Sequence, residues 1–179
     1  NPSAIYKEGV EVGKIVEACR TKIAQFLAVS SDSIIFTSGG TEANTWAVRG
    51  LENSHIIIDE MSHPSIFEAA KGINSSIYNL EKDWSLKKNT TLVSTIRPDN
   101  KIGRQVREWR KSNNSKTPIL HIDVSQTAQY FNVGLETLSC DLLTLDSAKL
   151  YGPKGIGALV VRRGLKLNLP PLGTQLTGV

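Results

Sequence analysis

At 179 residues, with 40% hydrophobic and 21% charged side chains, the chain is long enough to bury a core without metals or disulfides. No apolar run reaches the length of a membrane span, and the net charge of +4 is scattered, so neither a membrane nor a nucleic-acid role is expected. Cys19 and Cys140 stand alone without CxxC spacing, which indicates neither a zinc site nor a disulfide framework. Both are read as buried structural residues. No secretory signal is visible, so a reducing cytoplasm is the expected compartment. A chain that opens at Asn1 without Met reads as a processed form or a fragment.

Helix and strand signals alternate along the chain. Val12, Ile15, Val16, Cys19, Ile23, Phe26 and Leu27 recur at three- and four-residue steps, which predicts one apolar face on a first helix. A short strand at 34–36 is followed by Thr37-Ser38-Gly39-Gly40-Thr41 and a helix to about residue 51. A strand at 56–58 precedes Ser62-His63-Pro64, where Pro suits the first turn of another helix. Further strands are predicted at 76–80, 91–96 and 119–123, with Glu108 and Trp109 in an intervening helix. The polar run 81–90 reads as a surface connection. Near the end, an apolar run at 142–145 and another at 156–161 flank a turn built on Gly152-Pro153-Lys154-Gly155. Repeated βα units of this length predict one α/β domain over residues 1–179, a mainly parallel sheet with helices on both faces.

Ligands bind such sheets beyond the carboxyl ends of the strands. Polar residues collect in the segments that follow them. Gly39-Gly40-Thr41 opens a helix after a strand, so its amides and the helix dipole suit a phosphate, although Gly also makes ordinary turns there. His63 and Asn100 follow other strands, and Asp123 ends the 119–123 strand with Gln126 three residues on; His63 also reads as a cap or surface residue and Asp123 as a helix cap. Lys149 sits between the 142–145 strand and the Gly-Pro turn, where an exposed loop lysine is the plainer reading. Together they supply a phosphate cradle, an imidazole, a carboxylate and an amine. These are the parts needed to hold pyridoxal 5′-phosphate.

The ordered set Asn1-Pro2-Ser3 with Gly9, "IIFTSGGTEAN", "SHPSIFEA", "DNKIG", "HIDVSQ" and "YGPKGIGALVVRRG" resembles the cysteine desulfurases of the NifS/IscS type, in the class V aminotransferase group. The resemblance runs through almost the whole chain. It implies the large, cofactor-binding domain of fold type I, the PLP-dependent transferase fold. It identifies Lys149 as the lysine that bonds the cofactor aldehyde and then serves as general base or acid. It implies that Asp123 faces the pyridine nitrogen, that His63 lies over the ring and shuttles protons, and that Asn100 and Gln126 reach the phenolic oxygen. Gly40 and Thr41 would hold the phosphate, with Asp146 and Ser147 in the other segment used for phosphate contacts. In the complete enzyme, sulfur would pass from L-cysteine to an enzyme cysteine, giving alanine and a persulfide for iron-sulfur cluster assembly or other sulfur transfer. The family pattern also implies a homodimer, or completion by a C-terminal chain, and a sulfur-acceptor protein.

The departures from that pattern carry expectations of their own. The family usually has Ser/Ala-His just before the lysine, where this chain has Asp146-Ser147-Ala148. A phosphate-binding serine position is therefore Asp146 and a histidine is Ala148, and weaker phosphate binding is expected. Lys101 stands where the family has Glu. Neither Cys19 nor Cys140 matches the persulfide cysteine, whose segment, with the small domain, falls beyond Val179. The 179 residues are therefore expected to be incomplete or weakly active alone. Two other readings stay open: another class V lyase or aminotransferase, such as a selenocysteine lyase, and a non-catalytic protein that keeps the fold for binding or assembly.

Overall fold

Strands and helices alternate from Ile34 onward in the computed structural model, which describes residues 1–82 and 84–169. The strands are β1 (Ile34–Thr37), β2 (Ile56–Asp59), β3 (Ser75–Tyr78), β4 (Leu92–Thr95), β5 (Ile119–Asp123), β6 (Leu142–Asp146) and β7 (Gly157–Val161). The helices are α1 (Lys7–Leu27), α2 (Gly40–Arg49), α3 (Pro64–Ala70) and α4 (Asn100–Ser112). All seven strands form one sheet in the order β1-β7-β6-β5-β4-β2-β3. β3, β2, β4, β5 and β6 pair in parallel, whereas β7 runs antiparallel to both β6 and β1. The mainly parallel sheet expected from the sequence is present. The expected β3 at 76–80 lies instead over Ser75–Tyr78, because Leu80 leaves the ladder and drops into the core.

Alternation along the central strands sorts the core into two layers. Ile57, Val93, Leu120, Ile122, Leu143 and Val160 face α4 and the last turns of α1. Ile56, Ile58, Leu92, Ile119, Leu142 and Leu159 face α2 and α3. Side chains of this size contribute about 1.5–3 kcal/mol each when fully buried. Helices on both faces are thus required by strands that are apolar on both sides. The connection at 81–90 is less superficial than its polarity suggests, since Trp84 and Leu86 lie partly buried against the first layer.

The first helix departs from expectation. Val12, Ile15, Cys19 and Phe26 are exposed, while Arg20, Ala24 and Leu27 are buried. Cys19 is therefore not a buried residue, and only Cys140 is. The reason is that α1 meets the sheet through its C-terminal turns alone. There the Arg20 guanidinium donates to the Ile34 carbonyl and lies 4.8 Å from the centre of the Phe36 ring. A cation with a long apolar stem fills a place that periodicity assigned to aliphatic side chains. Among the described residues no helix is long and apolar enough to cross a membrane.

Candidate active site

The turn from β1 into α2 sets one wall of the site. Gly39, the residue before α2, has φ of 154°, a conformation side chains rarely adopt, so glycine is required to make this turn. Across from it, a β-carbon on Gly157 would lie 2.8 Å from the Gly39 Cα, so β7 also needs glycine at its first residue. The turn points the first amides of α2 along the carboxyl ends of β5 and β6. Asp146, at the end of β6, meets them: Gly40 N–H donates to its Oδ2 at 3.1 Å, and Ala148 N–H donates to its Oδ1 at 2.9 Å.

Asp123 ends β5 next door and is nine-tenths buried. Its Oδ1 accepts the Ser125 N–H at 3.0 Å, and its Oδ2 accepts from Asn44 Nδ2 at 2.8 Å. Asn44 lies on α2 and also donates to Ser65 Oγ of α3 at 2.9 Å. His63 caps α3: its Nδ1 accepts the Ser65 N–H at 3.2 Å and pairs with Ser65 Oγ at 2.8 Å. Because a backbone amide can only donate, Nδ1 carries no proton, and the ring's proton sits on Nε2. Beneath these groups a polar row crosses the sheet. Ser94 Oγ meets His121 Nδ1 at 2.9 Å, and His121 Nε2 meets Thr144 Oγ1 at 3.0 Å. Burial lowers the His121 pKa to about 4, against a partial opposing pull from Asp123, so this imidazole is neutral.

These groups open onto one cavity of about 360 Å³. Its lining includes Gly40, Thr41, His63, Asp123, Gln126, Asp146 and Lys149, seven of the residues that the sequence singled out. Lys149 stands exposed at the mouth, on the short turn Ser147–Lys149 that follows β6. Asn100 and Ser147 are not among the lining residues. Asn100 begins α4, and Ser147 faces an apolar hollow beside Phe26 and Phe36. Thr41, His63 and Gln126 are exposed, so the cavity is open on that side.

Sequence reasoning missed the polar floor. Asn44 Oδ1, Ser62 Oγ and Ser125 Oγ are the buried side-chain polar atoms without a partner among the described residues, and all three residues line this cavity. Unpartnered buried polar atoms are rare in folded proteins, and their convergence in one hollow marks a place for a polar ligand. A signal did exist for Asn44, which is the polar residue between Ala43 and Ala47 on the buried face of α2. Ser125 and Ser62 carried none, because serine is ordinary in loops.

The donor set suits pyridoxal 5′-phosphate at the ring end, where an amine, a buried carboxylate and an imidazole converge. At the phosphate end the chain's own carboxylate already holds the Gly40 amide. Neither cysteine is in the lining. Burial, with Asp141 beside it, pushes the Cys140 thiol far up, which makes it a poor nucleophile.

An aminotransferase class-V family model matches residues 1–176. The cysteine desulfurase IscS of Dictyoglomus turgidum is 33% identical over 94% of this chain and 48% of its own length. A cysteine desulfurase of Nostoc sp. is 31% identical over 94% and 47%. Among solved structures, a NifS-like protein superposes with a TM-score of 0.84 at 25% identity, covering 98% of this chain and 55% of that one. The chain spans about half the length of the curated relatives it matches.

Proposed function

Because the chain belongs to the class-V aminotransferase family, a PLP-dependent group, we propose that it is the cofactor-binding domain of a cysteine desulfurase-like enzyme. The observation that carries the reading is the convergence of Lys149, Asp123 and three unpartnered buried polar atoms on one cavity at the strand ends. Bound there, pyridoxal 5′-phosphate supplies an electron sink for the carbon that bears the substrate amine. Lys149, at the mouth of the cavity, would hold the cofactor's aldehyde end through Nζ and would move the proton at the substrate α-carbon. Asp123, held by Asn44 and the Ser125 amide, keeps a proton on the pyridine nitrogen. His63, with Nδ1 turned to Ser65, has Nε2–H left to face the ring. Gly40 and Thr41 hold the phosphate, and Gln126 and Asn100 are assigned to the phenolic oxygen.

In the whole enzyme L-cysteine and an enzyme thiol become alanine and an enzyme persulfide. The thiol comes from outside these 179 residues, since neither Cys19 nor Cys140 reaches the cavity. A second copy or a C-terminal half completes the enzyme and covers the exposed Val12, Ile15 and Phe26. A sulfur-acceptor protein takes the persulfide sulfur in the cytoplasm.

Titration with pyridoxal 5′-phosphate followed by borohydride reduction and peptide mapping tests the site. The adduct is expected on Lys149. Adduct on Lys154, which is close in sequence but outside the cavity lining, or on neither lysine, overturns the assignment. One observation favours a second reading. The Asp146 carboxylate on the Gly40 amide fits a protein that keeps the fold for binding or assembly without turnover.

A further inference from the structure

Ser125 lies two residues past Asp123, on the loop that leaves β5. Its side chain is only 6% exposed, and its hydroxyl has no partner. It lines the cavity at the start of α2: a β-carbon built on Gly40 would sit 3.4 Å from Ser125 Oγ and 3.1 Å from Asp146 Oδ2. Three features therefore meet in one small volume: a helix N-terminus of the kind that binds anions, a buried hydroxyl with nothing to bond, and a carboxylate of the chain itself. The carboxylate explains how the helix end is satisfied. It leaves Ser125 unexplained, since a buried hydroxyl without a partner costs free energy.

We infer that Ser125 is a further phosphate-binding hydroxyl of this site, beside Thr41, and that Asp146 is a built-in competitor for the same cradle. Ser125 Oγ donates to a phosphate monoester seated at the start of α2, next to the Gly40 amide. Asp146 Oδ2 holds that amide when the phosphate is away. An incoming phosphate takes the Gly40 N–H from Asp146, while Asp146 Oδ1 keeps the Ala148 N–H. The site thus gives up part of its preference for phosphorylated over unphosphorylated aldehydes, and Ser125 restores some of it. This rests on the cofactor reading above.

The test compares two aldehydes, pyridoxal 5′-phosphate and pyridoxal, titrated by absorbance against the chain, Ser125→Ala and Asp146→Ser. Ser125→Ala is expected to weaken pyridoxal 5′-phosphate about tenfold or more and to leave pyridoxal unchanged, because only the former bears the phosphate. Asp146→Ser is expected to tighten pyridoxal 5′-phosphate about tenfold to a hundredfold, again with pyridoxal unchanged. Unfolding midpoints without ligand confirm that each variant is folded. Ser125→Cys, close in size with a poorer donor, replaces Ser125→Ala if the alanine variant unfolds. Equal losses for the two aldehydes, or none, overturn the inference while Lys149 still takes the borohydride label. If neither aldehyde binds and Lys149 stays unlabelled, the cofactor reading falls and takes this inference with it.

Discussion

Asn44 uses a single amide to join three elements, giving one N–H to Asp123 on β5 and one to Ser65 on α3 from its own place on α2. His121 has a different task at the same depth, fully buried and holding β4, β5 and β6 together through two hydroxyls. Its protonation changes stability with a definite sign. The folded pKa, about 4, lies below the ordinary 6.5, so the unfolded chain binds this proton first as pH falls. The contribution is whole above pH 6.5 and is lost progressively as pH drops from 6.5 towards 4. Urea unfolding at pH 7 and pH 4.5 is expected to show a larger loss for the parent chain than for His121→Gln. Equal losses would mean that His121 does not titrate separately in the two states.

At the scale of elements, α4 is placed by close approach rather than by apolar area alone. Gly103 on α4 faces the turn before β6, where an added β-carbon would fall 2.2 Å from the Leu138 carbonyl oxygen and 2.7 Å from Ser139 Cβ. Backbone cannot yield as a long side chain would. Gly103→Ala is therefore expected to destabilise the fold by about 2–3 kcal/mol despite alanine's better helix propensity. A thermal or urea midpoint at or above the parent's would show that α4 shifts freely. The same turn leads into Asp141, which is buried and takes Arg110 from α4, Arg162 after β7 and the Leu120 amide. One carboxylate ties a helix and three strands where the parallel and antiparallel parts of the sheet meet.

On the whole-molecule scale, the cavity has the amine and the carboxylate but no thiol within its lining. The 179-residue chain with pyridoxal 5′-phosphate and L-cysteine is expected to form no alanine at an enzyme-like rate, because no placed nucleophile accepts the sulfur. Adding the second half of a cysteine desulfurase-like protein is expected to restore it. Robust alanine formation by the chain alone would place the acceptor among these residues and refute the division of labour proposed above. Along α1, Ile15 and Phe26 are about 60% exposed and lie outside the core formed by the described residues.

Local pattern was enough to place the strands to within a few residues, to indicate the presence of the four helices, and to mark the segments that end at Gly40, His63, Asp123 and Lys149. Period-two and helical repeats encode which side of an element is apolar, and turns of Gly and Pro mark where the chain reverses. The likeness of ordered motifs then supplied the family, which no single residue could. Local pattern could not tell that α1 meets the sheet by its last turns only, because the surface a helix finds to pack on is a property of other elements. Nor could it tell that Asn44, Ser62 and Ser125 share a cavity or that Asp146 reaches the Gly40 amide, 106 residues away in the chain. Hydrogen bonds between strand ends depend on sheet order, and sheet order exists only once the carboxyl ends of β1, β5 and β6 have been brought to the same end of the sheet.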